Sequence, residues 1–201
     1  MKYVLVALIA ATPAVADCVT AANLSTGIAF AREDGRSGLV VGDGETVQID
    51  YSTMKDDWVD RRVTRMGIYE LEASLHYDAL PTVGGGYPHY RWTYESRGIA
   101  PVPGKSFRAR ITQRREEDIG TQNEPPPDLS AYDVTYRFLD AKQVTLSDCR
   151  YTIIPVEADY AGGVTQRWVY FPDLGFGLET LPRPMENNEP ARNGLTSLTP
   201  K

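Results

Sequence analysis

The sequence predicts an all-β (mainly β) chain: an antiparallel, strongly curved sheet or half-open barrel of about nine to eleven strands, with little helix. Three observations predict it. Apolar and polar residues alternate with a period of two along most of the chain, as strands with one buried face require. Asp-Gly and Gly-Gly pairs punctuate the alternating segments. The clean alternation also differs from the all-apolar strands of a parallel sheet covered on both faces.

The chain opens on Lys2 and an apolar run, Tyr3 to Ala11, followed by Pro13 and the small-x-small triplet Ala14-Val15-Ala16. That order is the pattern of a secretory signal peptide, residues 1–16, cleaved after Ala16. The run is shorter than the roughly 20 residues a membrane-spanning helix needs. A periplasmic or secreted protein that does not span the membrane is expected. Asp17 in front of Cys18, with Val15 at the third preceding position, argues against lipidation of that cysteine.

Residues 17–181 read as a single β domain. Ile28 and Phe30 alternate up to a hairpin turn at Asp34-Gly35. Leu39-Val40-Val41 follows, then a turn at Asp43-Gly44 and a strand on Val47, Ile49 and Tyr51. Met54 to Arg62 is charged around Trp58, has no clean period and reads as a loop or short helix. Tyr69, Leu71, Ala73, Leu75 and Tyr77 then share one face of a long strand, opposite Glu70, Glu72, Ser74 and His76.

A loop around Gly84-Gly85-Gly86 leads to Tyr90, Trp92 and Tyr94, and then to Phe107, Ala109 and Ile111. Glu116 to Ser130, with Pro125-Pro126-Pro127, reads as a long acidic loop. Strands follow on Val134, Tyr136 and Phe138 and on Val144 and Leu146. Between Tyr151 and Ala158 the apolar positions change phase at Pro155, which predicts a bulge or an edge because proline donates no ladder hydrogen bond. Ala161-Gly162-Gly163 turns the chain into Val164 to Phe171, and a short final strand closes the domain. Residues 182–201 are polar and proline-containing and are predicted to be disordered.

The net charge of −6 excludes general nucleic-acid binding. Charge is uneven: Arg61 to Arg115 holds ten basic and four acidic residues. Either these strands pair with acidic neighbours in the fold, or Arg108 and Arg110 belong to a surface for an anionic partner. The two cysteines, Cys18 and Cys149, lack the spacing of a metal or redox site. In an oxidising compartment they predict one long-range disulfide.

No catalytic constellation is legible. Nucleophile-elbow, zinc-protease, phosphate-loop and dinucleotide patterns are absent, so no metal or cofactor is expected. His76 and His89 stand apart in sequence, and a hydrolase would have to assemble them with a carboxylate in the fold. The aromatic residues are more suggestive. Tyr90, Trp92, Tyr94, Trp168 and Tyr170 occupy alternating strand positions and, with His89, suit the lining of a pocket for an amphiphilic ligand; the competing reading is that they form the core.

The segment CRYTIIPVEADYAGGVTQRWVYFPDLGFGLET, from Cys149 to Thr180, resembles the closing hairpins of exported bacterial open-β-barrel proteins of the outer-membrane lipoprotein carrier type. The resemblance covers about 35 residues and no catalytic motif. It implies a half-barrel over an apolar cavity that binds a lipid or an envelope protein. The function expected from the sequence is therefore a soluble exported, non-enzymatic binding or envelope-accessory protein. The alternatives are a hydrolase with a site built from distant residues, and an interaction module using a basic strand face.

Overall fold

The computed structural model describes residues 18–52, 58–77, 87–118, 126–181 and 194–201. The signal peptide read at residues 1–16, the Gly84–Gly86 loop and residues 182–193 of the tail lie outside the described residues. One 3-10 turn (Ala21–Leu24) precedes β1 (Ile28–Arg32), β2 (Ser37–Gly42), β3 (Thr46–Ser52), β4 (Trp58–Arg65), β5 (Tyr69–Tyr77) and β6 (Tyr87–Tyr94). There follow β7 (Ser106–Asp118), β8 (Asp128–Phe138), β9 (Lys142–Leu146), β10 (Cys149–Tyr160), β11 (Val164–Phe171), β12 (Phe176–Leu181) and β13 (Leu195–Pro200).

These strands form one antiparallel sheet in the order β12-β11-β10-β8-β7-β6-β5-β4-β3-β2-β1-β13, with β9 on β10. β12 and β13 stand at its two ends, so the sheet is open. The all-β class is the one the period of two predicts, with a higher strand count: thirteen among the described residues.

The sheet curls until its ends share a core. Phe30, Val40 and Ile49 from β1 to β3 pack with Tyr151, Phe171, Phe176 and Leu178 from β10 to β12. Hydrogen bonds cross the same interior. Arg32 donates to the Glu179 carbonyl at 2.8 Å, and the Glu179 N–H donates to the Tyr51 hydroxyl at 3.0 Å. At the β4–β5 turn, Gly67 lies against Gly177 of β12. A Cβ on Gly67 would fall 2.2 Å from the Gly177 carbonyl oxygen, and its φ of +68° is glycine territory. A second core, on β5 to β8, β10 and β11, holds Tyr69, Trp92, Ile111, Tyr136, Phe138 and Trp168.

β10 belongs to both cores. Cys149, Tyr151 and Ile153 face the first; Ile154, Val156, Ala158 and Tyr160 face the second. The change of phase falls between Ile153 and Ile154, beside Pro155. On one flank β8 pairs as far as Phe138↔Val156, the Leu139 N–H bonds the Pro155 carbonyl at 2.9 Å, and β9 resumes at Lys142↔Ile153. The register moves by one residue across that step, which is the effect of a bulge and explains how a proline sits inside the sheet.

Two strands absent from the sequence reading account for the higher count. β4 occupies part of the segment read as a loop or short helix. Its inward residues are Asp60, Arg62 and Thr64, all buried, so the hydrophobic period that marks a strand is missing. β13 forms within the tail read as disordered. It pairs with β1 along Ile28↔Pro200 to Arg32↔Leu195 and buries Leu198, too little apolar surface to show in the sequence. The acidic loop is also shorter than predicted, because β7 runs to Asp118 and β8 begins at Asp128. Their backbones pair from Ser106↔Arg137 to Arg115↔Asp128.

Cys18 and Cys149 form a disulfide across 131 residues, with a Cα separation of 5.6 Å. It ties the start of the described chain to the start of β10. The Val19 N–H then donates to the Tyr151 hydroxyl at 3.1 Å, and Val19 and Leu24 plug the first core. The 3-10 turn is the only helical element among the described residues, and no described helix is long and apolar enough to cross a membrane.

Candidate functional site

The regular pairing of the sheet fails in one informative place. β5 and β6 are matched at Glu72↔Arg91, Ala73↔Tyr90 and Ser74↔His89. Beyond Glu72 the strands are not matched, so Leu71 does not face Trp92 across a ladder. The cause lies on the other side of β5. There Val63 opposes Glu72 and Thr64 opposes Glu70, which leaves Leu71 as the extra residue of a bulge. The bulge turns Glu70 inward, to 4 % exposure, and leaves Leu71 half-buried. The period-two assignment of Glu70 to the polar outer face is thereby corrected.

A groove of about 390 Å³ occupies this opening, lined by Glu45, Arg65, Leu71, Trp92, Thr93, Tyr94, Ser96 and Arg97. Its aromatic wall is held in place. The Trp92 indole N–H is shared between the Tyr132 hydroxyl (2.9 Å) and Gln113 Oε1 (3.3 Å), and Tyr132 itself donates to Gln113 Oε1 (3.0 Å). Tyr90 stacks on Trp92 with ring centroids 5.7 Å apart, and the Tyr94 and Tyr136 hydroxyls meet at 3.3 Å. The segment after β6, which brings Ser96 and Arg97 to the groove, is anchored on Tyr69. The Tyr69 hydroxyl donates to the Ile99 carbonyl at 2.7 Å, and Gly98 lies so close to the Tyr69 ring that a Cβ would come within 2.4 Å of it.

The polar end of the groove is an ion-pair fork. Glu45, on the β2–β3 turn, pairs with Arg97 and lies 3.9 Å from Arg65. Glu45 and Arg97 are exposed, and Arg65 is mostly covered.

Behind the groove a buried polar band crosses the interior. Arg62 makes two bonds to Asp60 (2.6 and 3.0 Å) and one to Glu70 (2.7 Å). The Gln166 amide donates to Glu70 (3.1 Å) and Glu179 (2.5 Å) and accepts from the Tyr160 hydroxyl (2.7 Å). Burial works against the charge on Arg62, but the carboxylates of Asp60, Glu70 and Glu179 outweigh it and lift its pKa well above the ordinary value. Gln166 is wholly buried, so the band is a packed network with its partners inside the protein. Among the described residues no three His, Cys, Asp or Glu side chains are placed to share a metal ion.

The residues singled out from the sequence separate into three places. Trp92, itself a buried member of the second core, and the partly buried Tyr94 border the groove, and Tyr90 stacks on Trp92. Trp168 and Tyr170 are buried in the second core. His89 stands on the outer face, Nε2 3.7 Å from Glu72 and Nδ1 4.0 Å from Glu116. Each ring nitrogen is nearest a carboxylate, and Ser74 is its partner in register on β5. The side chain of His76 lies outside the described residues. Arg108 and Arg110 are exposed on β7, and Arg110 faces Asp133 (3.2 Å) and Glu95 (3.8 Å).

Other arginines of the basic segment also meet carboxylates: Arg61 with Asp50, Arg91 with Glu72 and Arg114 with Glu116. Sequence reasoning missed Leu71, Arg65, Arg97 and Glu45 as groove residues: Glu45 and Arg65 are brought together by the β3–β4 register, and Leu71 is turned to the opening by the bulge in β5. It also missed the buried band, although Asp60, Arg62 and Thr64 alternate with a period of two.

No protein-family model matches the chain, and neither the curated proteins nor the solved structures contain a match to it.

Proposed function

We propose that this chain is an exported, non-enzymatic binding protein that holds a small amphipathic ligand in the groove between β5 and β6. The observation that carries this reading is the departure of β5 from β6 at Leu71, which opens a groove with a fixed aromatic wall and a charged end. A concave site of this volume, in which an apolar and aromatic wall meets convergent polar groups, suits a small ligand that is itself part apolar and part polar. The rest of the concave face is occupied by packed rings. Tyr69 meets Tyr94, Phe107 and Tyr136 at centroid distances of 4.9 to 5.9 Å, and Tyr136 meets Trp168 at 6.2 Å. The ligand surface is thus narrower than the whole sheet face that the carrier resemblance implies. Export is supported by the leader pattern and by the disulfide, a bond that persists in oxidising compartments.

Anilinonaphthalene sulfonate, an amphipathic dye, tests the site. The mature protein should enhance its fluorescence, and Leu71→Arg, which fills the groove from a half-exposed position, should abolish that enhancement while leaving the unfolding midpoint within a few degrees. Equal enhancement by both proteins would remove the groove from consideration. Expression with the leader tests export: recovery in the periplasm with Asp17 as first residue is expected, and retention in the cytoplasm with the leader attached would contradict it.

A further inference from the structure

We infer that the ligand carries a carboxylate on a compact apolar body, and that this carboxylate replaces the Glu45 side chain between Arg65 and Arg97; the inference rests on reading the groove as the binding site. Glu45 is the carboxylate in the groove lining, and it stands against the two guanidinium groups of that lining. Its backbone is fixed. The Glu45 carbonyl accepts from the Met66 N–H at 3.2 Å, and its N–H donates to Asp43 Oδ1 at 3.2 Å. Its side chain is 59 % exposed.

Exposed ion pairs of this kind contribute little to stability, so the Glu45 side chain can swing into solvent at small cost. What it vacates is a pair of guanidinium groups, the side chain best matched to planar two-oxygen recognition of a carboxylate. A ligand that brings its own carboxylate restores the pairing and adds apolar contact with Leu71 and Tyr94 of the groove lining. A volume of about 390 Å³ lies near the small end of ligand sites. The body is accordingly the size of a single ring or a short branched chain. Glu45 then acts as a resident competitor that sets a threshold on ligand charge.

The test is calorimetric titration of the mature protein with phenylacetate, benzyl alcohol and phenethylamine, repeated on Glu45→Gln and Arg97→Gln. Phenylacetate should bind the native protein and bind Glu45→Gln roughly tenfold more tightly. It should bind Arg97→Gln at least tenfold more weakly, and its affinity should fall with added salt. Benzyl alcohol should bind weakly and equally to all three. Equal binding of acid and alcohol, unchanged by Glu45→Gln, would overturn the inference and leave the groove as a neutral site. Preference for the amine would overturn it in favour of a cationic ligand held by Glu45. Absence of binding by every probe to every variant would overturn both the inference and the groove itself. Glu45→Ala, whose affinity should rise with that of Glu45→Gln, separates loss of charge from any effect of the new amide.

Discussion

The Arg62 guanidinium lies 2.7 Å from the Glu70 carboxylate, with both side chains more than nine-tenths shielded from water. The pair joins β4 to β5 inside the curved sheet, between its two apolar cores. Removing one member of a buried pair leaves the other charge without compensation, which costs about 3–5 kcal/mol. Arg62→Met should therefore destabilise the protein by about that amount in urea unfolding, because Asp60 and Glu70 both lose their cation. Glu70→Gln should cost less, because Arg62 keeps its two bonds to Asp60.

The Cys18–Cys149 bridge closes a very long loop of the unfolded chain. The chain-entropy account assigns such a bridge up to about 5 kcal/mol. Cys18→Ser with Cys149→Ser should lower the unfolding free energy by about 2–5 kcal/mol and should loosen the first core at Val19 and Leu24 before the second. Mass analysis with and without reductant checks the premise: the native protein should show no thiol that labels, and two labelled thiols would refute the bridge.

Alkaline pH should unfold the protein. Burial raises the pKa values of Tyr69, Tyr136 and Tyr170 above the ordinary phenol value. For an acid whose folded pKa is raised, the stabilising contribution is complete below the unfolded value, about 10, and is lost as pH rises through the folded value. Stability should thus be insensitive to these groups near neutrality and fall steeply above about pH 10. Ultraviolet titration should show the exposed tyrosines ionising first and the buried ones only with unfolding. Smooth ionisation of every tyrosine with the fold intact would contradict the burial of Tyr69, Tyr136 and Tyr170.

Gly98 bears on the groove directly, because its backbone rests on the Tyr69 ring. Gly98→Ala should cost about 1–3 kcal/mol by overpacking. It should also weaken dye binding, because displacing the segment from Tyr69 moves Arg97 and Ser96. Unchanged stability and dye binding would show that the segment yields without disturbing the groove.

Much of the fold was legible wherever the strand interior is apolar. Val47, Ile49 and Tyr51 of β3 and Val134, Tyr136 and Phe138 of β8 announce themselves by their period, and Pro155 marks the bulge in β10. β4 was not legible for a physical reason. Its buried face is Asp60, Arg62 and Thr64, and only a partner strand bearing Glu70 makes that face tolerable. β13 was not legible because pairing with β1 supplies most of what holds it, and pairing leaves no mark in composition. Trp92 and Tyr94 were legible as candidate binding residues by residue type. Their neighbours Arg65 and Arg97 were not, since they lie on β4 and after β6 and are brought to Glu45 only by the folded sheet.

The central claim is that small amphipathic molecules bind in the β5–β6 groove, and the most direct measurement is a chemical-shift titration of the isotope-labelled mature protein with phenylacetate. Saturable shifts are expected at Leu71, Thr93, Tyr94 and Arg97 and at the Trp92 indole N–H. Shifts centred on the hollow between the 3-10 turn and the Pro172–Gly175 turn, or no saturable shift anywhere, would contradict it.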